Sequence, residues 1–183
     1  AIQSNQNDQH GGQSIPNFDY GMALGVAKTF RKAYTNKLTE GLEDFLDTED
    51  EKDNVTKILA DVKEATGMSP RLETDAEKFE QQYPNRSQRN TTFHRKKAAH
   101  LVEVARRRAN RKADRDTYQA MEGFVHNLNT MHSRAGAQTP FSSINYGTDT
   151  TPEGRMVIRN ILLQLTQVWD MAKPVSSQST YLR

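Results

Sequence analysis

The chain has 183 residues, no cysteine and a formal net charge of +2, so disulfide bonds, thiolate metal sites and thiol chemistry are excluded within it. Its hydrophobic content of 34% suits one domain or part of a larger one, with several segments left solvated. No apolar run reaches the roughly 18 residues of a membrane span, and neither an initiator methionine nor a signal-peptide pattern opens the chain. These features predict one domain or a piece of a larger one, cut from a longer chain, compatible with a reducing cytosol and without a membrane partner.

The first predicted element is a long helix. Residues 1–18 are rich in Asn, Gln, Gly and Ser, which is typical of a loop, although Gly11 and Gly12 could also mark a strand that passes close to a ligand. From Asp19 onwards apolar residues recur at spacings of three and four, which predicts a helix. Its expected buried face comprises Met22, Val26, Phe30, Ala33, Tyr34, Leu38, Leu42, Phe45 and Leu46.

Two further helices are predicted in the middle of the chain. The first runs from about Asp53 to Ala65, with Gly67 as its C-terminal stop, and residues 67–90 are expected to be a mobile connection. The second runs from about Thr92 to Met131. Its middle, residues 106–116, has alanines as its only apolar residues, so this stretch is either a solvated helix or a break. The expected buried stripe of the shorter helix is Val55, Ile58, Leu59 and Val62.

A short strand and a final helix complete the prediction. Thr139 to Tyr146 is the strand candidate, with a proline near its start. Thr151-Pro152-Glu153 begins a helix with a capping hydroxyl, a proline at the first helical position and an acid near the positive end of the dipole. Residues 174–183 are expected to be a frayed tail. The expected buried face of this helix comprises Val157, Ile158, Ile161, Leu162, Leu165, Val168 and Trp169. The predicted fold class is therefore predominantly α with a few short strands.

Charge is unevenly distributed along the chain. Residues 40–53 hold eight acids, and residues 86–115 hold eleven Arg and Lys. The basic segment could bind nucleic acid, but Phe93 is its only aromatic residue and no zinc or helix-turn-helix signature accompanies it. A solvated helix face or a subunit contact is the favoured interpretation because the overall charge is near zero. We therefore expect no nucleic-acid partner.

The remaining polar features are histidines and two neutral segments. His94 and His100, like His126 and His132, are six residues apart, which is not the one-turn spacing of a metal pair, so no metal site is predicted. The segments 9–14 and 133–150 are dense in Gly, Ser, Asn and Gln. Phosphates and ribose hydroxyls favour backbone N–H groups and short neutral side chains, but ordinary turn chemistry explains the same composition equally well.

Two motifs point to a known family. The continuous block from Met121 to Asp149 contains Ser133-Arg134-Ala135-Gly136-Ala137-Gln138 and then Pro140-Phe141-Ser142-Ser143-Ile144-Asn145. It resembles the helix, loop and strand of class III anaerobic ribonucleotide reductases. The motifs Ser4-Asn5-Gln6 and Gly11-Gly12-Gln13-Ser14 are similar to an earlier strand of the same family. Residues 40–115 carry no motif that we assign to it.

The resemblance implies a ten-stranded α/β barrel, built from two half-barrels, in a cytoplasmic homodimer. Residues 1–183 would then be a single partial domain, an early half-barrel portion of the larger catalytic domain. The family reduces ribonucleoside triphosphates to deoxyribonucleotides with a glycyl radical, a thiyl radical, formate as reductant and an activating radical-SAM protein. Deoxynucleotide effectors select the substrate. An N-terminal ATP-binding cone and a four-cysteine zinc site are also typical of the family.

The resemblance also assigns roles to residues. Substrate binding would fall to Gly11, Gly12, Gln13, Ser14, Ser142, Ser143 and Asn145. The loop that carries the effector signal would comprise Ser133, Arg134, Ala135, Gly136, Ala137 and Gln138. A small glycine-containing loop can change its backbone at low cost, and an arginine could meet a base or a phosphate.

The chain departs from the family pattern because it has no cysteine and no glycyl-radical segment. We therefore expect no catalytic residue, no metal and no bound cofactor in this chain, which would be inactive alone. The alternative is a non-catalytic nucleotide-binding or dimerisation module built from the same helices. A helical nucleic-acid binder that uses residues 86–115 is a third interpretation.

Overall fold

The computed structural model describes residues 13–46, 51–72, 92–130 and 142–172. In chain order their elements are β1 (Gln13–Ile15), α1 (Phe18–Leu46), α2 (Lys52–Thr66), α3 (Thr92–Thr130), β2 (Ser142–Ile144) and α4 (Pro152–Ala172). The predominantly α fold with short strands is confirmed. The ten-stranded barrel stays a prediction, because the described residues contain one two-stranded sheet.

The strands β1 and β2 pair in parallel. Their register places Gln13 opposite Ser142, Ser14 opposite Ser143 and Ile15 opposite Ile144. Parallel neighbours need a crossover connection, and here the chain between the two strands contains α1, α2 and α3. The pairing therefore joins segments that are far apart in the sequence.

The helix ends follow the local signals in the sequence. At the end of α2, Gly67 has a φ of 68° and its N–H donates to the carbonyl of Lys63 at 2.8 Å, as the prediction of a stop at this glycine required. At the start of α4, the hydroxyl of Thr151 accepts a hydrogen bond from the N–H of Gly154 at 3.2 Å, which confirms the predicted cap.

The chain divides into two compact units, of which one comprises residues 24–116. In this unit the rings of Phe30 and Tyr34 pack at a centroid distance of 5.8 Å. The middle of α3 is an unbroken helix, which decides between the two predictions made for residues 106–116. It holds because the alanines of this stretch face the core instead of water. The buried apolar side chains of the unit are those of Val26, Phe30, Tyr34, Leu38, Val55, Ile58, Val62, Leu72, Ala98, Val102, Ala105, Ala109 and Ala113.

The other unit comprises residues 1–23 and 117–183. In its described part, the rings of Phe18 and Phe124 lie 5.2 Å apart, which packs the first turn of α1 against the end of α3. The phenol of Tyr118 donates to Oε1 of Gln167 at 3.2 Å and so links α3 to α4. The buried apolar side chains of the unit are those of Phe18, Ala23, Met121, Val125, Val157 and Ile161.

Part of the predicted helix faces is wrong. On α1, Met22 is exposed rather than buried. On α4, Val157 and Ile161 are buried as predicted, but Leu162 and Leu165 are exposed. Polar side chains take their place in the core, because the buried stripe of α4 runs along the side that carries Glu153, Asn160 and Gln164. The side chains of Val168 and Trp169 lie outside the described set.

A membrane-spanning helix is not found among the described residues, since none of their helices combines the necessary length and hydrophobicity.

Candidate functional site

The candidate site begins with one face of the strand pair. Ser14 and Ser143 are register partners, and both side chains are exposed. Successive side chains of a strand point to opposite faces, so this pair lies on the opposite face from Gln13, Ser142 and the two isoleucines, which are half-buried. Two hydroxyl groups on adjacent strands therefore share one solvent-facing surface.

Asn145 extends the same face by one position. Its backbone N–H donates to the carbonyl of Ile15 at 2.9 Å, which continues the strand pairing beyond the last register pair. Because Asn145 follows Ser143 by two residues, the alternation of an extended chain places both side chains on one face. The side chain of Asn145 is exposed, so an amide joins the two hydroxyls.

The first turn of α1 closes the end of the strand pair. The carbonyl of Asn145 accepts a hydrogen bond from the N–H of Phe18 at 2.9 Å. Asn17 makes this sharp entry into the helix with a φ of 51°, a left-handed conformation that asparagine adopts more readily than most residues. The carbonyl of Asn17 then accepts from the N–H of Gly21 at 3.1 Å and starts the helix.

Asp19 binds the loop that leaves β2. Its Oδ2 accepts hydrogen bonds from the backbone N–H groups of Gly147 at 2.8 Å and Asp149 at 2.9 Å. Its Oδ1 accepts from the hydroxyl of Thr148 at 3.2 Å. The residue is fully buried. A buried carboxylate is tolerated only when it is well hydrogen-bonded, and here three consecutive loop residues supply the donors.

These hydrogen bonds determine the charge state of Asp19. The hydrogen bond from the N–H of Asp149 lowers the pKa of Asp19 the most, and burial of the carboxylate raises it. Hydrogen bonds from the N–H groups of Gly147 and Tyr20 and from the hydroxyl of Thr148 lower the pKa further. The result is a pKa of about 2, below the ordinary value of 3.8. Asp19 is therefore an anion at neutral pH, and the loop is held by charge-assisted hydrogen bonds.

The same loop is fixed to the start of α4. Oδ1 of Asp149 accepts a hydrogen bond from the N–H of Thr151 at 2.8 Å. Gly154 packs directly on this aspartate: a Cβ atom at position 154 would lie 2.6 Å from Cγ of Asp149, closer than a real Cβ atom can approach. Gly147 has a φ of 103°, which only glycine adopts without strain. The conformation of the connection between β2 and α4 is thus constrained at Gly147, Asp149 and Gly154.

The arrangement offers neutral hydrogen-bonding groups on a rigid support. Each serine hydroxyl can donate one hydrogen bond and accept two, and the asparagine amide offers both donors and acceptors. Such groups suit hydroxyl and phosphate oxygens of a ligand without adding charge. A metal site is not part of the arrangement, since no group of at least three His, Cys, Asp or Glu side chains able to hold a metal ion occurs in the described parts of the chain.

The structure brings together three of the predicted substrate residues. Ser14, Ser143 and Asn145 share the exposed face, whereas Gln13 and Ser142 are half-buried on the other side of the strands. Gly11 and Gly12 lie outside the described residues, as does the whole predicted effector loop, Ser133, Arg134, Ala135, Gly136, Ala137 and Gln138.

Sequence reasoning missed Asp19, Asp149 and Gly154. The sequence analysis used Asp19 only to mark the start of a helix, because an acidic residue in the first turn of a helix is common. Its partners follow it by 128 to 130 residues, a separation that no local pattern reveals. One signal was present: Gly147-Thr148-Asp149 combines a turn glycine with an aspartate just before a proline-started helix.

The basic segment forms an exposed helix face within its described part. Arg107, Arg108, Arg111, Lys112 and Arg115 of α3 are exposed. Two of them pair with acids one turn away: Arg107 with Glu103 at 3.6 Å and Lys112 with Asp116 at 2.5 Å. Exposed pairs of this kind contribute little to stability. The expectation that this segment does not bind nucleic acid stays a prediction.

The described residues define a predominantly α class of fold with one short pair of parallel strands joined through helices. Within that class, a family model described as anaerobic ribonucleoside-triphosphate reductase matches residues 1–175. The chain therefore belongs to the anaerobic ribonucleoside-triphosphate reductase family. No curated protein matches it significantly.

Proposed function

We propose that this chain is a portion of the catalytic subunit of a reductase that converts ribonucleoside triphosphates to deoxyribonucleoside triphosphates by radical chemistry with formate. Its β1 and β2 strands line the substrate cavity, and the loop Ser133–Gln138 carries the effector signal. The observation that supports this most directly is the shared exposed face of Ser14, Ser143 and Asn145 in a chain whose family match covers both strands.

The role of this face is to bind and orient the substrate. The hydroxyl groups of Ser14 and Ser143 are placed to exchange hydrogen bonds with ribose hydroxyls or phosphate oxygens, and the amide of Asn145 adds a donor and an acceptor. Orientation of this kind lowers the barrier of a later chemical step because the ligand's freedom is lost on binding, before the reaction. The two serines lie on paired strands, so their spacing is fixed by the sheet.

The radical and metal chemistry of the family does not fit the residues of this chain. A thiyl radical and a four-cysteine zinc site both need sulfur, and the sequence has no cysteine. In the proposal these groups, the glycyl radical and the ATP-binding cone belong to other parts of the full-length subunit. The chain alone is then inactive, and the working protein is a homodimer that a radical-SAM protein activates.

A non-catalytic nucleotide-binding or dimerisation module is the second candidate. The lack of cysteine and the exposed apolar side chains Tyr20 and Leu24 on α1 favour it, because such a face suits helix association. The two candidates differ in one measurable property. Only the first requires that changes on the strand face alter turnover of a ribonucleotide.

The test uses the activated full-length reductase that contains these residues, with Ser143→Ala and Ser14→Ala. Loss of one neutral hydrogen bond costs about 0.5–1.5 kcal/mol, so we expect the KM for the ribonucleoside triphosphate to rise about threefold to tenfold in each variant. Thr56→Ala, which removes an exposed hydroxyl from α2, is the matched control and should leave KM unchanged. Wild-type KM in both serine variants would contradict the placement of substrate on this face.

A further inference from the structure

We propose that Asp19 is a positioning residue for substrate binding: through the loop Gly147–Asp149 it holds the end of β2, and with it Ser143 and Asn145, in the binding geometry. This inference rests on the proposed function, since it concerns the same strand face. Asp19 itself faces the loop and lies below the surface, so its action on a ligand is indirect.

The first support is the convergence of donors on a single oxygen. The N–H groups of Gly147 and Asp149 both meet Oδ2 of Asp19, at 2.8 and 2.9 Å. Two donors that are two residues apart can share one acceptor only if the intervening backbone bends around it. The carboxylate therefore determines the path of the loop as well as its anchoring point.

The second support is the short connection from this loop to the strand face. Asn145 is two residues from Gly147, and its backbone is bound on both sides: its N–H to Ile15 and its carbonyl to the N–H of Phe18. Phe18 and Asp19 are adjacent, so two consecutive residues of α1 bind the end of β2 and the loop after it. A displacement of the loop would act directly on Asn145 and, through Ile144, on Ser143 two residues earlier.

The third support is that a purely structural role would not require a hydrogen-bonding side chain here. Burial of Asp19 opposes its charge, and an apolar side chain in the same place would avoid that cost. What the carboxylate adds is direction, because hydrogen bonds specify angles that apolar packing leaves free. Support of a binding surface by fully hydrogen-bonded residues behind it is how a site is held to within a fraction of an ångström.

The other end of the loop, Asp149, is fixed to the start of α4. Asp149 binds the N–H of Thr151, and Gly154 leaves no space between α4 and that aspartate. The loop is therefore fixed at Asp149, and the part that loses its anchor when Asp19 is replaced is the stretch next to β2. This predicts that the effect of a substitution at Asp19 appears at the strand face.

The test compares three Asp19 variants of the activated full-length reductase. Asp19→Ala removes all acceptors, and Asp19→Glu keeps the charge but displaces the oxygens by one methylene. Both should raise the KM for the ribonucleoside triphosphate about tenfold, as misplacement of a binding group does. Asp19→Asn should stay within about twofold of wild type, because its amide oxygen can accept both N–H bonds and its amide nitrogen can donate to the hydroxyl of Thr148.

Val62→Ala separates positioning from stability. Val62 is fully buried in α2, so its truncation lowers the folded fraction and the apparent kcat, while KM should stay at the wild-type value. The proposal is overturned if folded Asp19→Ala keeps the wild-type KM, if Val62→Ala raises KM equally, or if Asp19→Asn behaves like Asp19→Ala. Should Asp19→Ala fail to fold, a wild-type KM in Asp19→Glu overturns it.

Amide hydrogen exchange distinguishes this inference from the proposed function. The exchange rate of the Asn145 N–H, which is bound to Ile15, should rise in Asp19→Ala and in Asp19→Glu but not in Asp19→Asn or Val62→Ala. This readout does not depend on turnover. An inactive wild-type reductase would refute the proposed function, whereas an unchanged Asn145 exchange rate in Asp19→Ala would refute the positioning role.

Discussion

Gly154 packs against Asp149, which leaves no space for a side chain at position 154. A Cβ atom at this position would lie 2.6, 2.7 and 2.8 Å from Cγ, Cβ and Oδ2 of Asp149, a side chain whose Oδ1 is bound to the N–H of Thr151. We expect Gly154→Ala to destabilise the 183-residue chain by about 1–3 kcal/mol, as overpacking does. Urea unfolding followed by circular dichroism measures the change.

Gly123 provides the matched control for this prediction. It lies inside α3, and a Cβ atom there would have no neighbour within 4 Å. Gly123→Ala should therefore stabilise the chain by about 0.5–1 kcal/mol through helix propensity alone. If the two alanine variants changed the free energy of unfolding in the same direction, steric contact with Asp149 would not explain Gly154.

Asp19 makes the stability of the chain depend on pH in an acidic window. Its pKa is about 2 in the folded chain and 3.8 ordinarily, so between these values the unfolded chain binds more protons. The stabilisation is present above about pH 4 and is lost as the pH falls towards 2. Asp19→Asn should remove this part of the dependence.

Urea midpoints of the wild-type chain and Asp19→Asn between pH 2 and pH 6 test the window. The difference in stability between the two should shrink as the pH falls. Asp61→Asn, which removes an exposed carboxylate from α2, is the control for the change in formal charge. A difference between wild type and Asp19→Asn that stayed constant from pH 6 to pH 2 would contradict the assignment.

At the scale of single residues, the sequence predicts local features and misses distant ones. Thr151 and Gly67 were identified as a cap and a stop because their partners lie within four residues. The role of Asp19 was not, because its partners come from the other end of the chain. Local chemistry determines how a helix begins, but which loop the helix then binds depends on the tertiary fold.

Among the elements, α3 shows that buried alanines can keep a highly charged stretch helical. Alanine is the best helix former, and its small side chain lets a neighbouring element approach closely. Ala109 and Ala113 are fully buried, while Arg111 and Lys112 between them are exposed. The sequence left open whether this stretch is a helix or a break, because the count of apolar residues ignores how well small side chains pack.

A pair of leucine substitutions tests whether Ala109 packs in the core. Ala109→Leu should destabilise the chain by about 1–3 kcal/mol, since the added methylenes have no space in a packed core. Ala120→Leu lies on the same helix at an exposed position and should change stability by less than about 0.5 kcal/mol. Thermal unfolding of both variants gives the comparison, and equal effects would mean that Ala109 does not face a packed core.

The face of α4 could not be predicted correctly because apolar residues surround much of the helix. Leu162, Leu163 and Leu165 fit the helical period as well as Val157 and Ile161 do, yet they are exposed. Periodicity identifies the helix but not which side meets the core when several sides are apolar. Nothing local marks Asn160 and Gln164 as core residues, since amides are mostly exposed in proteins.

Over the whole molecule, family resemblance supplied what periodicity could not. It assigned substrate binding to both the Gly11–Ser14 motif and the strand containing Ser143, and in the described residues Ser14 pairs with Ser143. The register itself depends on hydrogen bonds between segments that three helices separate, which no window of sequence contains. Local helices were therefore predictable from periodicity and the residues of the strand face only from the resemblance, whereas Asp19, Asp149 and Gly154 behind that face were predicted by neither.

The last prediction concerns the loop that joins α3 to β2 along the chain. If the loop Ser133–Gln138 carries the effector signal, Arg134→Ala in the full-length reductase should alter which ribonucleotide each effector favours. We expect the free energy of unfolding to change by less than about 0.5 kcal/mol. The reason is that the loop leads into β2, so a change in its conformation acts on a strand whose other end is bound to Asp19 through the following loop. An effector can shift the preference only by as much as its affinity differs between the two loop states.

Reduction of all four substrates with each deoxynucleotide effector measures the pattern of preference. Arg71→Ala, which removes an exposed arginine after α2, should leave this pattern unchanged. A wild-type preference pattern in Arg134→Ala would remove this side chain from the signal path while leaving the strand face of Ser14 and Ser143 untouched as the binding surface.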